Sequence, residues 1–199
     1  MIRNIIFDFG SVLVRWDPHN LYDPYFKDRA KADWFLENIC PYSWNESVYA
    51  GRPTVEATAE RLALYPEWEK EIRMYFGEWI KMMDGQVPGM EELVKELKVR
   101  GYSLYGLTNW SAETFPQIRD SYPIFSLLDG MVVSGEEHMK KPDPEIYRIL
   151  LRRYNLKPEE CIFIDDNPRN VAAGEAEGIK GLVFTSPEQL RMDLRAILQ

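Results

Sequence analysis

The sequence predicts an α/β protein, a doubly wound parallel sheet of the Rossmann-like kind, with a helical cap inserted after its first strand. Three observations carry that expectation. Five short apolar runs, at residues 4–9, 103–107, 130–133, 162–164 and 181–184, are continuous rather than alternating, as strands buried on both faces are. Segments of helical period lie between the later runs. Finally, residues 15–84 contain no convincing strand and several aromatic-rich helical patterns.

Taken in chain order, the first run holds Ile5, Ile6 and Phe7 and ends in Asp8. The insertion follows. Trp34, Phe35 and Leu36 mark one helical segment of it. Val55, Ala59, Leu62 and Ala63 mark a second, and Ile72, Tyr75, Phe76, Trp79 and Ile80 a third. Such a stripe is the inner face of a small helix bundle. Trp16, Trp44 and Trp110 stand apart, near expected loop mouths. The insertion ends in Gly85-Gln86-Val87-Pro88-Gly89, a turn-rich hinge. Beyond it, Leu93, Val94 and Leu97 define a helix over 90–100, and Ile146, Ile149 and Leu150 one over 145–154. An Ala-rich helix covers 168–177. Strand and helix alternate here as in successive right-handed βαβ units. The expected division is a core of residues 1–14 and 85–199 and a cap of residues 15–84.

Composition narrows the function. Apolar residues make up 45% and charged residues 28% of 199 residues, ordinary values for a globular chain. The net charge of −8 argues against nucleic acid or an anionic membrane as the main partner. No apolar run reaches membrane-spanning length, and Asp8 interrupts the N-terminal run as no secretory signal would allow. Cys40 and Cys161 have no partner at metal-ligand spacing, which points to the cytoplasm and away from zinc. An acidic protein that takes an anionic substrate must concentrate positive charge locally.

The chemistry-bearing residues gather at strand ends, where open α/β sheets bind ligands. The first strand ends in Asp8-Phe9-Gly10, and the second in Thr108 and Asn109. The loop after the third supplies Lys140-Lys141-Pro142-Asp143-Pro144, and the fourth strand ends in Asp165-Asp166-Asn167. Adjacent carboxylates repel and need a cation or strong donors, and an oxygen-rich cluster is what magnesium prefers.

These four elements, in this order, resemble the haloacid dehalogenase-like (HAD) superfamily over essentially the whole chain. The motifs are Phe7-Asp8-Phe9-Gly10-Ser11-Val12-Leu13, Leu107-Thr108-Asn109, Lys141-Pro142, and Phe163-Ile164-Asp165-Asp166-Asn167-Pro168-Arg169-Asn170. The insert is similar to the family's small helical cap. The resemblance implies a Mg²⁺-dependent hydrolase acting on a small phosphorylated metabolite, sugar phosphates being among the candidates. It implies Asp8 as the nucleophile that forms an aspartyl-phosphate, with Thr108 and Asn109 bonding the phosphoryl group. Lys141 would neutralise phosphate charge. Asp8, the Gly10 carbonyl and Asp166 would hold the metal, and Asp165 would steady it. One departure stands out. Where the common phosphatase pattern has a second aspartate as general acid and base, this chain has Gly10. Phosphatases of the Asp-x-Gly form share that feature.

Two other functions remain open on the residues. One is metal-free 2-haloacid dehalogenation through an ester on Asp8, for which the paired acids would be a liability. The other is a phosphate-binding protein without turnover, supported by Gly10. Asp17, in Val14-Arg15-Trp16-Asp17-Pro18, is a candidate replacement for the missing acid, although an ordinary Asp-Pro turn is the favoured reading of it. Trp16, Trp44 and Arg52 are expected to bear on substrate choice.

Overall fold

The computed structural model describes residues 1–198. Among these described residues seven strands form: β1 (Asn4–Phe7), β2 (Val14–Trp16), β3 (Met83–Gln86), β4 (Ser103–Thr108), β5 (Gly130–Val133), β6 (Cys161–Asp165) and β7 (Lys180–Val183). Five of them make one parallel sheet in the order β5-β4-β1-β6-β7. All five apolar runs of the sequence lie in it. The first strand takes the centre because the chain adds β4 and β5 on one side and then crosses back to add β6 and β7 on the other. The strand order reverses at β1, and the crevice that such a reversal opens is the usual ligand site of an open parallel sheet.

Both faces of the sheet are covered, which is why the strand sequences do not alternate. Ile5, Phe7, Leu104, Ile162 and Ile164 pack on the side of helices Met90–Val99 and Pro187–Ile197, in a cluster that runs on into the inserted segment. Ile6, Leu107 and Phe163 pack on the opposite side with Ile146, Tyr147 and Leu150 of helix Pro144–Arg153. Gly106 is required by this packing: a Cβ there would lie 2.3 Å from the Phe9 ring. The Phe9 ring therefore sits directly over β4, beside the turn that carries Asp8 and Gly10.

The inserted segment holds helices His19–Phe26, Arg29–Asn38, Tyr42–Glu46, Thr54–Leu64 and Glu69–Gly77. Tyr22, Phe35, Trp44 and Tyr75 are buried among them. Trp44 therefore belongs to the bundle interior and not to a loop mouth: its indole N–H donates to the Ala57 carbonyl at 3.0 Å and its ring meets Tyr75 edge-on. Arg52 is turned inward on its own segment, bonding Ser47 Oγ and Glu60.

One expectation is overturned. Residues 15–84 were expected to carry no strand, yet β2 and β3 pair antiparallel and form a two-stranded ribbon at the entry and exit of the insertion. The expected hinge Gly85-Gln86 is part of that ribbon, with Gln86 opposite Val14. Polar contacts beyond the ribbon also tie the insertion to the core. Lys140 pairs with Glu46 at 3.0 Å, Ser134 Oγ donates to the Tyr49 carbonyl, and Thr54 N–H donates to Glu113 at 3.1 Å. No helix among the described residues is long and apolar enough to cross a membrane.

Candidate active site

β1 ends one residue before Asp8, whose N–H donates to the Ile164 carbonyl of β6 at 2.8 Å. That bond carries the pairing one residue past the strand and fixes where the Asp8 carboxylate emerges. Asp165 is the last residue of β6 and is fully buried. Lys141 reaches between them. Its Nζ lies 2.9 Å from Asp8 Oδ1 and 2.6 Å from Asp165 Oδ2, and it also donates to the Leu107 carbonyl at 2.8 Å.

The loop that carries Lys141 is held by Asn109. The Asn109 amide donates to the Lys141 carbonyl at 2.9 Å and accepts from the Lys141 N–H at 2.8 Å. Asn109 lines the cleft, but both ends of its amide are engaged by this clasp. Asp165 is engaged as fully. Besides Lys141, it accepts from Asn170 Nδ2 at 3.1 Å on both oxygens and from the Asn167 N–H at 2.8 Å. Asp166 differs from its neighbour, being exposed to the cleft.

These surroundings set the charges. Burial pushes the Asp8 carboxyl up to about 6; Lys141 pulls against that and Asp165 adds to it. Burial opposes the charge of Lys141, but the two carboxylates overcome it and hold the ammonium above the ordinary lysine range. Partial burial, and then repulsion from Asp165, raise Asp166. Three acids crowded around one lysine leave net negative charge, which a cation relieves. Asp8, Asp165 and Asp166 each offer an oxygen, all within 4.8 Å of one another. An all-oxygen donor set at that spacing fits a hard divalent ion such as Mg²⁺. With the Asp165 oxygens already bonded, Asp8 and Asp166 are the carboxylates best able to hold it.

Gly10 lines the cleft beside Asp8, and a Cβ built on it would meet nothing within 4 Å. The place of the missing aspartate is therefore open space. Asp17 does not fill it. Its carboxylate accepts the His19 N–H at 2.9 Å at the start of the first cap helix, and it lies outside the residues that line the cleft. The turn reading of Asp17 holds, and its candidacy as the acid does not. Thr108 Oγ1, at the end of β4, is buried with no hydrogen-bond partner among the described residues, and Thr108 is not among the residues that line the cleft, whereas its neighbour Asn109 is.

The cleft above these groups has a volume of about 410 Å³. Its floor is Asp8, Ser11, Lys141, Asp166 and Arg169, and its wall holds Trp16, Tyr42, Tyr49, Trp79 and Trp110. Trp16 and Trp79 stack at 5.2 Å. Glu46, Lys140 and Asn170 also border it; Tyr42 and Glu46 carry no signal in the sequence, while Lys140 and Asn170 stand within the motifs without a role of their own. Trp79 had been read as bundle interior; it is 2% exposed and lines the cleft as well. A helix stripe cannot distinguish these two roles. Asn170 had a legible signal, since it stands in the fourth motif one helical turn after the paired acids.

Comparison with known proteins agrees with this architecture. The chain is 38% identical over 109 residues to a sesquiterpene phosphatase of Aspergillus oryzae, covering 55% of this chain and 56% of that one. The chain thus matches only about half the length of that relative. It is 23% identical to the D-ribitol-5-phosphate phosphatase of Bacteroides thetaiotaomicron over 100% of this chain and 99% of that one. A HAD family enzyme of the same organism, solved in complex with magnesium and inorganic phosphate, superposes with a TM-score of 0.70 at 21% identity, covering 94% and 96% of the two chains. The sequence profile of one family matches residues 2–178. On that match, together with the sheet and the site, the chain belongs to the haloacid dehalogenase-like hydrolases.

Proposed function

We propose that the chain is a Mg²⁺-dependent phosphomonoester hydrolase of small phosphorylated metabolites, working in the cytoplasm through an aspartyl-phosphate on Asp8. The observation that carries this reading is the buried Lys141 ammonium, 2.9 Å from Asp8 and 2.6 Å from Asp165. A buried lysine at that point opposes the burial that raises Asp8 and offers positive charge where a phosphoryl group arrives. In the reaction an Asp8 oxygen attacks phosphorus, the bond to the leaving oxygen breaks, and water then cleaves the acyl phosphate and restores the carboxylate. Phosphoryl transfer needs mainly positioning and charge neutralisation. Thr108 Oγ1 and the Lys141 ammonium serve the equatorial oxygens, and Asn109 serves by holding the Lys141 loop in place. Mg²⁺, held by Asp8, the Gly10 carbonyl and Asp166 and steadied by Asp165, would supply further neutralisation.

Residues 15–84 act in this reading as the cap that closes over the cleft, on a core of residues 1–14 and 85–199. The dehalogenase reading is weaker, because it leaves Asp166 as an uncompensated acid facing an anionic substrate. A screen of phosphorylated metabolites, with and without Mg²⁺, tests the proposal. Turnover should require the metal and should vanish in Asp8→Asn, whose fold is retained because the amide is nearly isosteric. Activity that persists in excess EDTA would refute it.

A further inference from the structure

Building on the phosphatase reading, we propose that the substrate's organic group is apolar, π-rich and poor in hydroxyls, and that Trp16, Tyr42, Trp79 and Trp110 select it. The cleft has two unlike halves. The floor is charged and suits a phosphoryl group. The rest of the lining includes a chain of rings: Tyr42 lies 6.5 Å from Trp16, Trp16 stacks on Trp79 at 5.2 Å and 24°, and Trp79 meets Trp110 edge-on at 6.5 Å. The indole N–H groups of Trp16, Trp79 and Trp110 are all buried and have no partner among the described residues. With Trp79 and Trp110 2% and 5% exposed behind them, the accessible aromatic carbon of the wall belongs chiefly to Trp16 and Tyr42.

Three of the polar side chains around that wall are committed elsewhere, which leaves the Tyr42 hydroxyl as the polar group the rings themselves carry. Glu46 is paired with Lys140, Asn109 clasps the Lys141 backbone, and Asn170 is bound to Asp165. A polyol chain lying on this wall would exchange hydrogen bonds to water for contact with carbon, and each hydroxyl left unpaired weakens binding. A ring system or unsaturated hydrocarbon gains stacking and apolar burial in the same place. The cleft volume of about 410 Å³ has room for such a group beside the phosphate.

The test compares 1-naphthyl phosphate, farnesyl phosphate and ribitol 5-phosphate. The first two separate a ring from an unsaturated chain as the source of the shared chemistry. Naphthol also departs more easily than an alkanol, so affinity decides: dissociation constants are measured by calorimetry on Asp8→Asn with Mg²⁺, alongside kcat/KM of the wild type. The expected result is that at least one apolar ester binds about tenfold or more tightly than ribitol 5-phosphate. Introducing Tyr42→Ala or Trp16→Ala should lower that ratio by about fivefold. Tyr42 is 60% exposed, so its removal leaves the fold intact. Equal or tighter binding of ribitol 5-phosphate, or a ratio that neither substitution moves, overturns the inference. If the wild type turns over none of the three, the hydrolase reading fails, and the affinity ratio still judges the specificity of the wall.

Discussion

Gly10→Asp tests whether the missing acid limits this enzyme and which leaving groups it can release. The structure makes the perturbation unusually clean. A Cβ at Gly10 meets no atom within 4 Å, and the residue is not among those in the left-handed backbone region, so an aspartate enters without overlap or strain. Its carboxyl would share the cleft with Asp8, at about 6, and with Asp166, itself raised. Like charges would raise the newcomer too, keeping part of it protonated toward neutral pH, as a general acid must be. A positioned acid contributes about 10²–10⁴ in rate. Two esters separate this effect from others. p-Nitrophenol departs without a proton, whereas an alkanol does not. In Gly10→Asp, kcat for ribitol 5-phosphate should rise by about 10²-fold, the lower end of that range, while kcat for p-nitrophenyl phosphate changes little. Equal gains on both esters would show that the substitution repositioned Asp8. No gain on either would show that another group already protonates the leaving oxygen. Either outcome refutes the reasoning.

The remaining predictions concern the buried charges. Asp166→Ala should leave the urea midpoint unchanged, because the side chain is exposed, but should raise the Mg²⁺ requirement sharply. Asp165→Ala should instead cost about 3 kcal/mol of stability, since it leaves Asn170 and the Asn167 N–H without their acceptor and the buried Lys141 with Asp8 as its one remaining carboxylate; equal urea midpoints for the two variants would contradict this assignment. Lys141→Met should destabilise by about 3–5 kcal/mol, because it leaves Asp8 and Asp165 facing each other buried. Adding Asp165→Asn should recover part of that loss, and a melting curve without recovery would count against the charge argument. The pH dependence of stability follows from Asp8. Its carboxyl is raised from 3.8 to about 6, so the fold favours the protonated form. The stability it contributes is fully present below about pH 4 and is lost as pH rises through about 6, a change of about 3 kcal/mol. In EDTA, wild type should therefore decline relative to Asp8→Asn between pH 4 and 7, and parallel stability curves would contradict it.

The sheet was legible because continuous apolar runs such as Ile5-Ile6-Phe7 and Ile162-Phe163-Ile164 have few other uses. The ribbon was not. β2 is three residues long, and β3 contains Asp84 and Gly85, types that strands ordinarily avoid. Its pairing is set by the two ends of the insertion meeting, which no local pattern encodes. At the site, the positions of Asp8, Lys141, Asp165 and Asp166 could be placed from strand ends and the Lys-Pro step. Which atoms those groups bond could not. That Asn109 clasps the Lys141 backbone, and that Asp165 is saturated while Asp166 is open, follow from side-chain directions at the sheet edge. The tryptophans mark the same limit. Trp44 and Trp79 share composition and helical context, yet one fills the bundle and the other borders the cleft, according to which side of the insertion faces the sheet.

The ribbon has a consequence for how this protein can change. Val14 pairs with Gln86 and Trp16 with Met83, so the chain leaves and re-enters at points one strand spacing apart, about 5 Å. A tight antiparallel turn is enough to join such points. Everything between residues 16 and 83 is thus a detour from a hairpin that would close without it. Its length and contents can be exchanged, lengthened or trimmed without moving the register of β1 against β4 and β6. Asp8, Asp165 and Asp166 lie at the ends of strands held in that register, while Tyr42, Tyr49 and Trp79 of the aromatic lining ride on the detour. The strand-end carboxylates and most of the aromatic lining are therefore carried by separate stretches of chain, one of which can be rewritten while the other stays fixed.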